Sequence, residues 1–127
     1  MPRAEIALFD KHDYLSLATF RKTGALVKTP VWFAAWGDKL YVFSAGDAGK
    51  VKRLRNSSRA RIAPCDVRGK VRGEWLDTSA RIVTDPAVVE GGYAALRRKY
   101  GWQMALGNFF ARISGKIGRR ALIEIDY

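Results

Sequence analysis

The chain has 127 residues, which suits one domain (residues 1–127) with its own hydrophobic core. Its 23 Lys and Arg outnumber its 12 Asp and Glu, and the resulting net charge of +11 predicts attraction to an anionic partner. One cysteine and one histidine exclude an intrachain disulfide framework and a zinc-type ligand set, so we predict no metal site.

The sequence contains no pattern typical of membrane insertion or export. Its first residues, Met-Pro-Arg-Ala-Glu-Ile, lack the charged and then apolar order of a signal peptide. The longest apolar run, Val31 to Trp36, is far too short to span a bilayer. We therefore expect a soluble, cytoplasmic protein that does not associate with membranes.

The first half of the chain predicts a short helix followed by β-structure. Residues 3–9 suit a helix, and Tyr14 to Phe20 alternates as a strand. Leu26 to Trp36 is rich in β-branched and aromatic residues, and Gly37-Asp38 then predicts a tight turn into a strand from Lys39 to Ala45. Pro30 interrupts the second strand, which indicates a sheet edge or a bulge that a ligand could approach.

The second half alternates between helices and strands. The predicted elements are a basic helix over 48–56, strands over 59–65 and 74–84, a helix that starts at Asp85-Pro86, an apolar helix over 102–113, and a last strand over 120–125. Val89, Tyr93, Leu96 and Tyr100 recur at helical spacing, which indicates a structural stripe. The predicted fold is mainly β with inserted helices, a small antiparallel barrel of six strands.

The strand over 26–36 is apolar on both faces. Val27, Thr29, Val31 and Phe33 lie on one side, and Lys28, Pro30, Trp32 and Trp36 lie on the other. A surface outside the barrel core therefore needs to be covered. A second copy of the chain would cover it, and this favours a homodimer.

The sequence from Tyr41 to Asn56 predicts a phosphate site. Ser44 ends a strand, Asp47 is placed to cap the next helix, and Lys50, Lys52 and Arg53 fall in its first turns. Backbone N–H groups and positive side chains can then face one anion. The alternative is a solvated helix face, the more common position of such basic runs.

Seven segments in this order resemble the pyridoxamine 5'-phosphate oxidase-like family, and its deazaflavin-dependent branch most closely. They are Leu-Ser-Leu-Ala-Thr at 15–19, Lys-Thr-Pro-Val-Trp-Phe at 28–33, Leu-Tyr-Val-Phe-Ser at 40–44, Gly-Lys-Val-Lys-Arg-Leu at 49–54, Arg-Ala-Arg-Ile-Ala-Pro-Cys-Asp at 59–66, Gly-Glu-Trp-Leu at 73–76 and Ala-Arg-Ile at 80–82. The resemblance covers about two thirds of the chain. It implies a homodimeric split β-barrel that holds a flavin or deazaflavin between subunits and performs two-electron redox chemistry on a small-molecule substrate.

The resemblance also implies the positions of the cofactor contacts. The strand that lies against the tricyclic ring contains Lys28, Thr29, Pro30, Val31 and Trp32, and the phosphate site contains Ser44, Gly49, Lys50 and Arg53. Arg72 and Trp75 lie in a stretch similar to one that reaches the ring from the neighbouring subunit. The chain lacks the Arg-rich C-terminal ending that true pyridoxamine phosphate oxidases use for their substrate. Synthesis of pyridoxal phosphate is therefore not expected.

The charge of the chain helps to choose between the two cofactors. FMN has one terminal phosphate, whereas coenzyme F420 has a phosphodiester followed by a chain of glutamates, and the excess of positive charge suits the longer anion. We therefore expect F420, with FMN as the alternative. A basic barrel that binds nucleic acid ranks third, because the aromatic residues do not interleave with the arginines on one face.

The remaining candidate residues receive structural interpretations. His12 suits a surface or capping position, and Cys65 suits a small buried hydrophobe. Trp32, Trp75 and the apolar segment over 102–110 are also candidates for a dimer interface. No triad or carboxylate pair can be assembled from the sequence, so the catalytic residues are left unassigned.

Overall fold

The computed structural model describes residues 1–45, 48–101 and 120–127. Three helices and seven strands lie in these ranges. The helices are α1 (Arg3–Asp10), α2 (Gly49–Asn56) and α3 (Pro86–Tyr100), and the strands are β1 (Tyr14–Phe20), β2 (Leu26–Val31), β3 (Phe33–Trp36), β4 (Lys39–Ala45), β5 (Arg59–Cys65), β6 (Leu76–Ile82) and β7 (Arg120–Asp126).

All seven strands form one antiparallel sheet in the order β2-β1-β5-β6-β7-β4-β3. The two edge strands, β2 and β3, are consecutive in the chain and are separated by Trp32 alone. The sheet is therefore curled so strongly that a single residue, Trp32, connects its two edge strands. The predicted mainly β, antiparallel class with inserted helices is confirmed.

The predicted strand count of six was wrong because the segment from Leu26 to Trp36 is two strands. Its first part pairs with β1 and its second part pairs with β4, so the chain changes partners at Trp32. Pro30 stays in the ladder opposite Ser16. β2 is an edge strand, as the proline indicated.

Tyr100 fills the position where the two strands separate. Its hydroxyl oxygen accepts a hydrogen bond of 2.9 Å from the backbone N–H of Phe33 and lies 2.7 Å from the carbonyl oxygen of Asp13. Its ring stacks on Trp32 with centroids 4.6 Å apart. A buried backbone N–H needs a hydrogen-bond acceptor. At the break between the two strands, the Tyr100 hydroxyl is the acceptor for the N–H of Phe33.

Buried side chains form two clusters, one on each face of the sheet. The inner cluster fills the curled sheet and includes Leu15, Leu17, Phe33 and Ile123. The outer cluster lies under α3 and includes Tyr41, Phe43, Leu96, Tyr100 and Leu122. Leu96 and Tyr100 are buried, as the helical stripe predicted.

Helix α3 has the predicted ends. Asp85 is the N-cap and accepts a hydrogen bond of 3.0 Å from the backbone N–H of Ala87, with Pro86 as the first helical residue. Gly101 is the C-cap with a φ of 47°. A positive φ favours glycine, so the helix ends where the sequence indicated.

Helix α3 also covers part of the outer face that we expected a partner to cover. Trp32 stacks on Tyr100, and the Trp36 ring lies so close to the Cα of Gly91 that a side chain there would collide with it. The two tryptophans therefore pack within the chain. They do not by themselves require a second subunit.

One further prediction about the elements needs correction. The strand predicted over 74–84 is shorter and runs over Leu76–Ile82. The N-cap of α2 is Ala48, without a side-chain hydrogen bond. Asp47 itself and the helix predicted over 102–113 lie outside the described residues.

Candidate functional site

Among the described residues, no side chain caps the N-terminus of helix α2. It follows β4, has Ala48 at the N-cap with no side-chain hydrogen bond, and has no acidic residue in its first turn. The helix dipole and the first backbone N–H groups favour a negative charge at this end. The local structure therefore favours an anion beside Gly49 and Lys50.

Arg53 is held beside the start of the helix by a contact with β1. Its Nε donates a hydrogen bond of 2.6 Å to the Oγ1 of Thr19, whose side chain is fully buried. Its guanidinium also lies against Gly49, where an added Cβ would be 2.8 Å from Nη1. A side chain at residue 49 would force the guanidinium to move, so residue 49 and Arg53 form one arrangement.

Positive charges are concentrated around this position. Burial lowers the pKa of Lys50, and the nearby Arg53 lowers it further. Burial likewise lowers the pKa of Arg53, with Arg21 as the second cause. Within the described ranges, no carboxylate forms an ion pair with any of these three side chains. An anion would relieve the repulsion, and we call Lys50, Arg53, Arg21 and Gly49 the cation cluster.

Ser44 lies next to the cation cluster in the chain. It is buried on β4, on the same face as Val42, and pairs with Ala121 of β7. This is the inner face of the sheet, at the strand end that leads into α2. The structure thus places Ser44, Gly49, Lys50 and Arg53 on consecutive elements at one end of the sheet.

A basic groove continues from the cation cluster. It has a volume of about 350 Å³ and is lined by Phe20, Arg21, Lys22, Gly24, Asn56, Ser57 and Arg59. The Arg59 guanidinium lies over the Phe20 ring at 4.2 Å from its centroid. Arg21 belongs to both regions, so the positive surface extends from the start of α2 to the turn between β1 and β2. We call this region the basic groove.

Thr19, Arg21 and Arg59 join the candidate site only in the folded structure, since no sequence pattern by itself indicated them. Thr19 is one of the last residues of β1 and Arg21 follows that strand directly. The signal that could have identified them is a hydroxyl and a cation at the end of the first predicted strand. It was not used because the neighbour of that strand end was unknown.

The five predicted ring contacts on and after β2 divide into two groups. Val31 is buried in the inner cluster, and Thr29 on the same face has a buried Oγ1 with no hydrogen-bond partner in the described part of the chain. Lys28 and Pro30 are exposed on the other face, and Trp32 stacks within the chain. Because β2 is an edge strand, its outer backbone groups are accessible to a ligand.

Arg72 and Trp75 are not part of the cation cluster. Both belong to the segment between β5 and β6, where the backbone N–H of Arg72 donates 2.7 Å to the carbonyl of Pro64. Trp75 lies beneath two cations, with the Nζ of Lys28 at 5.5 Å and the guanidinium carbon of Arg61 at 5.8 Å from its ring centroid. Trp75 therefore lies beside Lys28, another predicted ring contact. A contact of Arg72 or Trp75 with a ring held by the other subunit stays a prediction.

The lone cysteine matches its structural interpretation. Cys65 is 3% exposed, and burial together with Asp66 raises the pKa of its thiol to about 11. A thiol with a raised pKa is a poor nucleophile in neutral solution. Cys65 therefore acts as a small buried side chain.

None of the helices in the described ranges has the length and apolar character needed to cross a bilayer.

Comparison with known proteins identifies the fold. Three solved structures cover nearly all of this chain: a conserved hypothetical protein from Mycobacterium tuberculosis (TM-score 0.70, 20% identity, 99% of this chain and 80% of that one), a heme storage protein from Vibrio cholerae (0.69, 16%, 98% and 88%) and a FAD-binding protein from Mesorhizobium loti (0.63, 14%, 98% and 87%). At these identities the likeness shows the fold alone. No curated protein matches the chain.

The family model described as pyridoxamine 5'-phosphate oxidase matches residues 2–127, almost the whole sequence. The curled antiparallel sheet is the fold of the structures to which the chain is similar. The chain therefore belongs to the pyridoxamine 5'-phosphate oxidase family.

Proposed function

We propose that the protein is an F420-dependent oxidoreductase that transfers a hydride between the cofactor and a small organic acceptor. The observation that carries the proposal is the cation cluster, in which Lys50, Arg53 and Arg21 lie together without a carboxylate partner in the described residues. Such a cluster suits a phosphate group better than a neutral ligand.

The local structure fits the anionic part of such a cofactor. Thr19 fixes the Nε of Arg53, so the guanidinium is already oriented before a ligand arrives. The missing side chain of Gly49 leaves room for that guanidinium to lie against the start of α2. The proposed anion contacts are therefore preorganised, which lowers the entropy lost on binding.

The basic groove favours F420 over FMN. FMN would need only the cation cluster, whereas the glutamates of F420 need further positive charges along a path. Arg21, Lys22 and Arg59 line a groove of about 350 Å³ that adjoins the cluster. FMN remains the second candidate, supported by the family match and by the FAD-binding protein of the same fold.

The chain's contribution to the reaction is mainly binding and orientation. When bound, F420 supplies a two-electron hydride transfer, so the protein needs no nucleophile of its own. Lys50 and Arg53 would hold the anionic part, and the outer edge of β2 would orient the ring. The proton that accompanies the hydride would come from solvent or a nearby hydroxyl.

A homodimer is part of this proposal. The exposed edge of β2, with Lys28 and Pro30 outward, would cover only one side of a ring. A second subunit would close the other side and exclude water. Light scattering of the purified protein tests this, with a mass of two chains expected against 14.2 kDa for one.

Nucleic acid binding has less support. Two of the aromatic rings on the basic surface are already covered by cations: Phe20 lies under Arg59, and Trp75 lies under Lys28 and Arg61. Binding of single strands relies on rings that bases can stack on. In this chain, Arg59, Arg61 and Lys28 lie over the ring faces on which bases would stack.

Titration with oxidised F420, followed by its absorbance and fluorescence, tests the proposal. We expect binding at micromolar protein, and a loss of about tenfold or more for Arg53→Gln, because a charge-assisted contact with the phosphate is removed. Arg55→Gln, on the exposed side of the same helix, is the matched control and should bind normally. Equal affinity of both variants, or tighter binding of FMN than of F420, would reject the assignment.

A further inference from the structure

We propose that the protein has a second small-molecule site, for a zwitterionic amino acid with an apolar side chain, in the groove between α1 and the segment that precedes β6. The groove has a volume of about 400 Å³. Glu5, Leu8 and Phe9 line it from the helix, and Arg72 and Leu76 line it from the opposite side. We call it the α1 groove.

The α1 groove is separate from the cation cluster. A neighbouring hollow of about 540 Å³ shares Lys11, His12 and Arg72 with it and reaches Tyr14 at the start of β1. The cation cluster instead contacts Thr19, five residues further along the same strand. At the rise of an extended strand this is a separation of about 17 Å.

The charges of the α1 groove differ from those of the whole molecule. The chain has 23 basic and 12 acidic residues. The groove has Lys11 and Arg72 on the basic side and Glu5 and Glu74 on the acidic side. Equal numbers of opposite charges do not select a polyanion, whereas they suit a ligand that has one charge of each sign.

Glu5 indicates where the positive end of the ligand would bind. Its Oε2 is buried and has no hydrogen-bond partner in the part of the chain that the structure describes. An unpaired buried oxygen of a carboxylate is costly, and rotation of the Glu5 side chain toward a donor on a ligand in the groove would remove that cost. A primary ammonium group supplies such donors and the matching charge.

Arg72 indicates where the carboxylate of the ligand would bind. Its backbone N–H donates a hydrogen bond to the carbonyl of Pro64, and its Nη2 lies 3.3 Å from the Oδ2 of Asp66. These two contacts fix the position of the guanidinium. The side chain remains more than half exposed. A planar guanidinium with unused donors suits a carboxylate.

Apolar side chains form the wall of the groove between the two charged ends. Leu8 is 55% exposed, which is high for a leucine, and it follows Glu5 by three residues on the same face of α1. Phe9 is buried below it. An apolar side chain of the ligand would cover Leu8 and remove its surface from water.

Calorimetric titration with three related probes tests the site. We expect L-phenylalanine to bind, and N-acetyl-L-phenylalanine and phenethylamine, which each lack one charge, to bind about tenfold or more weakly. Glu5→Gln keeps the size of the side chain and should abolish the preference for L-phenylalanine over its N-acetyl form. Arg72→Gln should abolish the preference over phenethylamine.

Two controls separate this site from the proposed cofactor site and from misfolding. Arg53→Gln should leave L-phenylalanine binding unchanged, even where it abolishes F420 binding. Glu90→Gln, an exposed acid on α3, should bind all three probes like the original protein. No heat with L-phenylalanine, or the same preference in a folded Glu5→Gln variant, would overturn the proposal.

Discussion

Gly49 matters because of what its missing side chain allows. The Arg53 guanidinium occupies the space in which a Cβ at residue 49 would lie, 2.8 Å from Nη1. The guanidinium is the far end of a flexible side chain and can move away at small cost. A larger residue at position 49 would therefore change the anion site much more than the fold.

Gly49→Ala is expected to separate stability from binding. Alanine is favoured over glycine in helices by up to about 1 kcal/mol, so the free energy of unfolding should be unchanged or higher. The affinity for F420 should fall about tenfold, because the guanidinium no longer lies between Thr19 and the helix start. Urea unfolding and F420 titration of the same sample measure both. A variant that binds F420 normally would show that Arg53 is not positioned by Gly49.

Asp66 organises the segment between β5 and β6. Its Oδ1 accepts hydrogen bonds of 2.9 Å from the backbone N–H groups of Lys70 and Arg68, and its Oδ2 lies 3.3 Å from Arg72. The bond from Lys70 is the main cause that holds the pKa of Asp66 below its ordinary value, followed by the bond from Arg68. One carboxylate thus fixes the loop that presents Arg72.

The loop is therefore expected to loosen in acid. A carboxyl group whose pKa is lowered by folding stabilises the fold above its unfolded pKa of about 4, and this contribution is lost as the pH falls through the lower folded value. Amide hydrogen exchange of Arg68 and Lys70 should lose protection over that range. Asp66→Ala, which removes both acceptor oxygens, should show low protection already at neutral pH.

An exposed acid elsewhere supplies the control for this measurement. Glu90→Gln on α3 should leave the exchange of Arg68 and Lys70 unchanged at every pH. Protection that persists in acid, or that survives in Asp66→Ala, would show that the backbone turn holds the loop without the carboxylate.

At the level of elements, the sequence predicted what depends on neighbours in the chain. The ends of α3 follow from Asp85, Pro86 and Gly101, which act within one turn of the helix. The division at Trp32 was not predictable in this way, because it depends on β2 and β3 having different partners. The hydrogen bond that stabilises it joins residues 67 positions apart.

The same distinction applies to the candidate site. The proximity of Ser44, Gly49, Lys50 and Arg53 was predictable because they belong to one stretch of sequence, with a strand end and the helix that follows it. Their contacts with a cofactor stay a prediction. Thr19 reaches this site only through the packing of α2 on β1, so local patterns do not indicate it. Residues joined by tertiary contacts are the part that sequence reasoning misses.

On the scale of the whole molecule, the positive charge should act as an extended anion site. The cation cluster and the basic groove together present Lys50, Arg53, Arg21, Lys22 and Arg59 along one end of the sheet. A ligand whose negative charges continue past the phosphate would contact both regions. Its affinity should then depend on the length of that chain of charges and on salt.

We therefore expect F420 with a longer glutamate tail to bind more tightly than F420 with a short one, and the difference to shrink as salt is added. Arg59→Gln should reduce this difference by about half or more while the affinity for the short-tailed form changes little, since Arg59 lines the groove and not the cluster. Arg97→Gln removes an equal charge from the exposed side of α3 and should preserve the difference. If both variants lose it equally, the attraction comes from net charge alone, and the basic groove has no specific part in binding the tail.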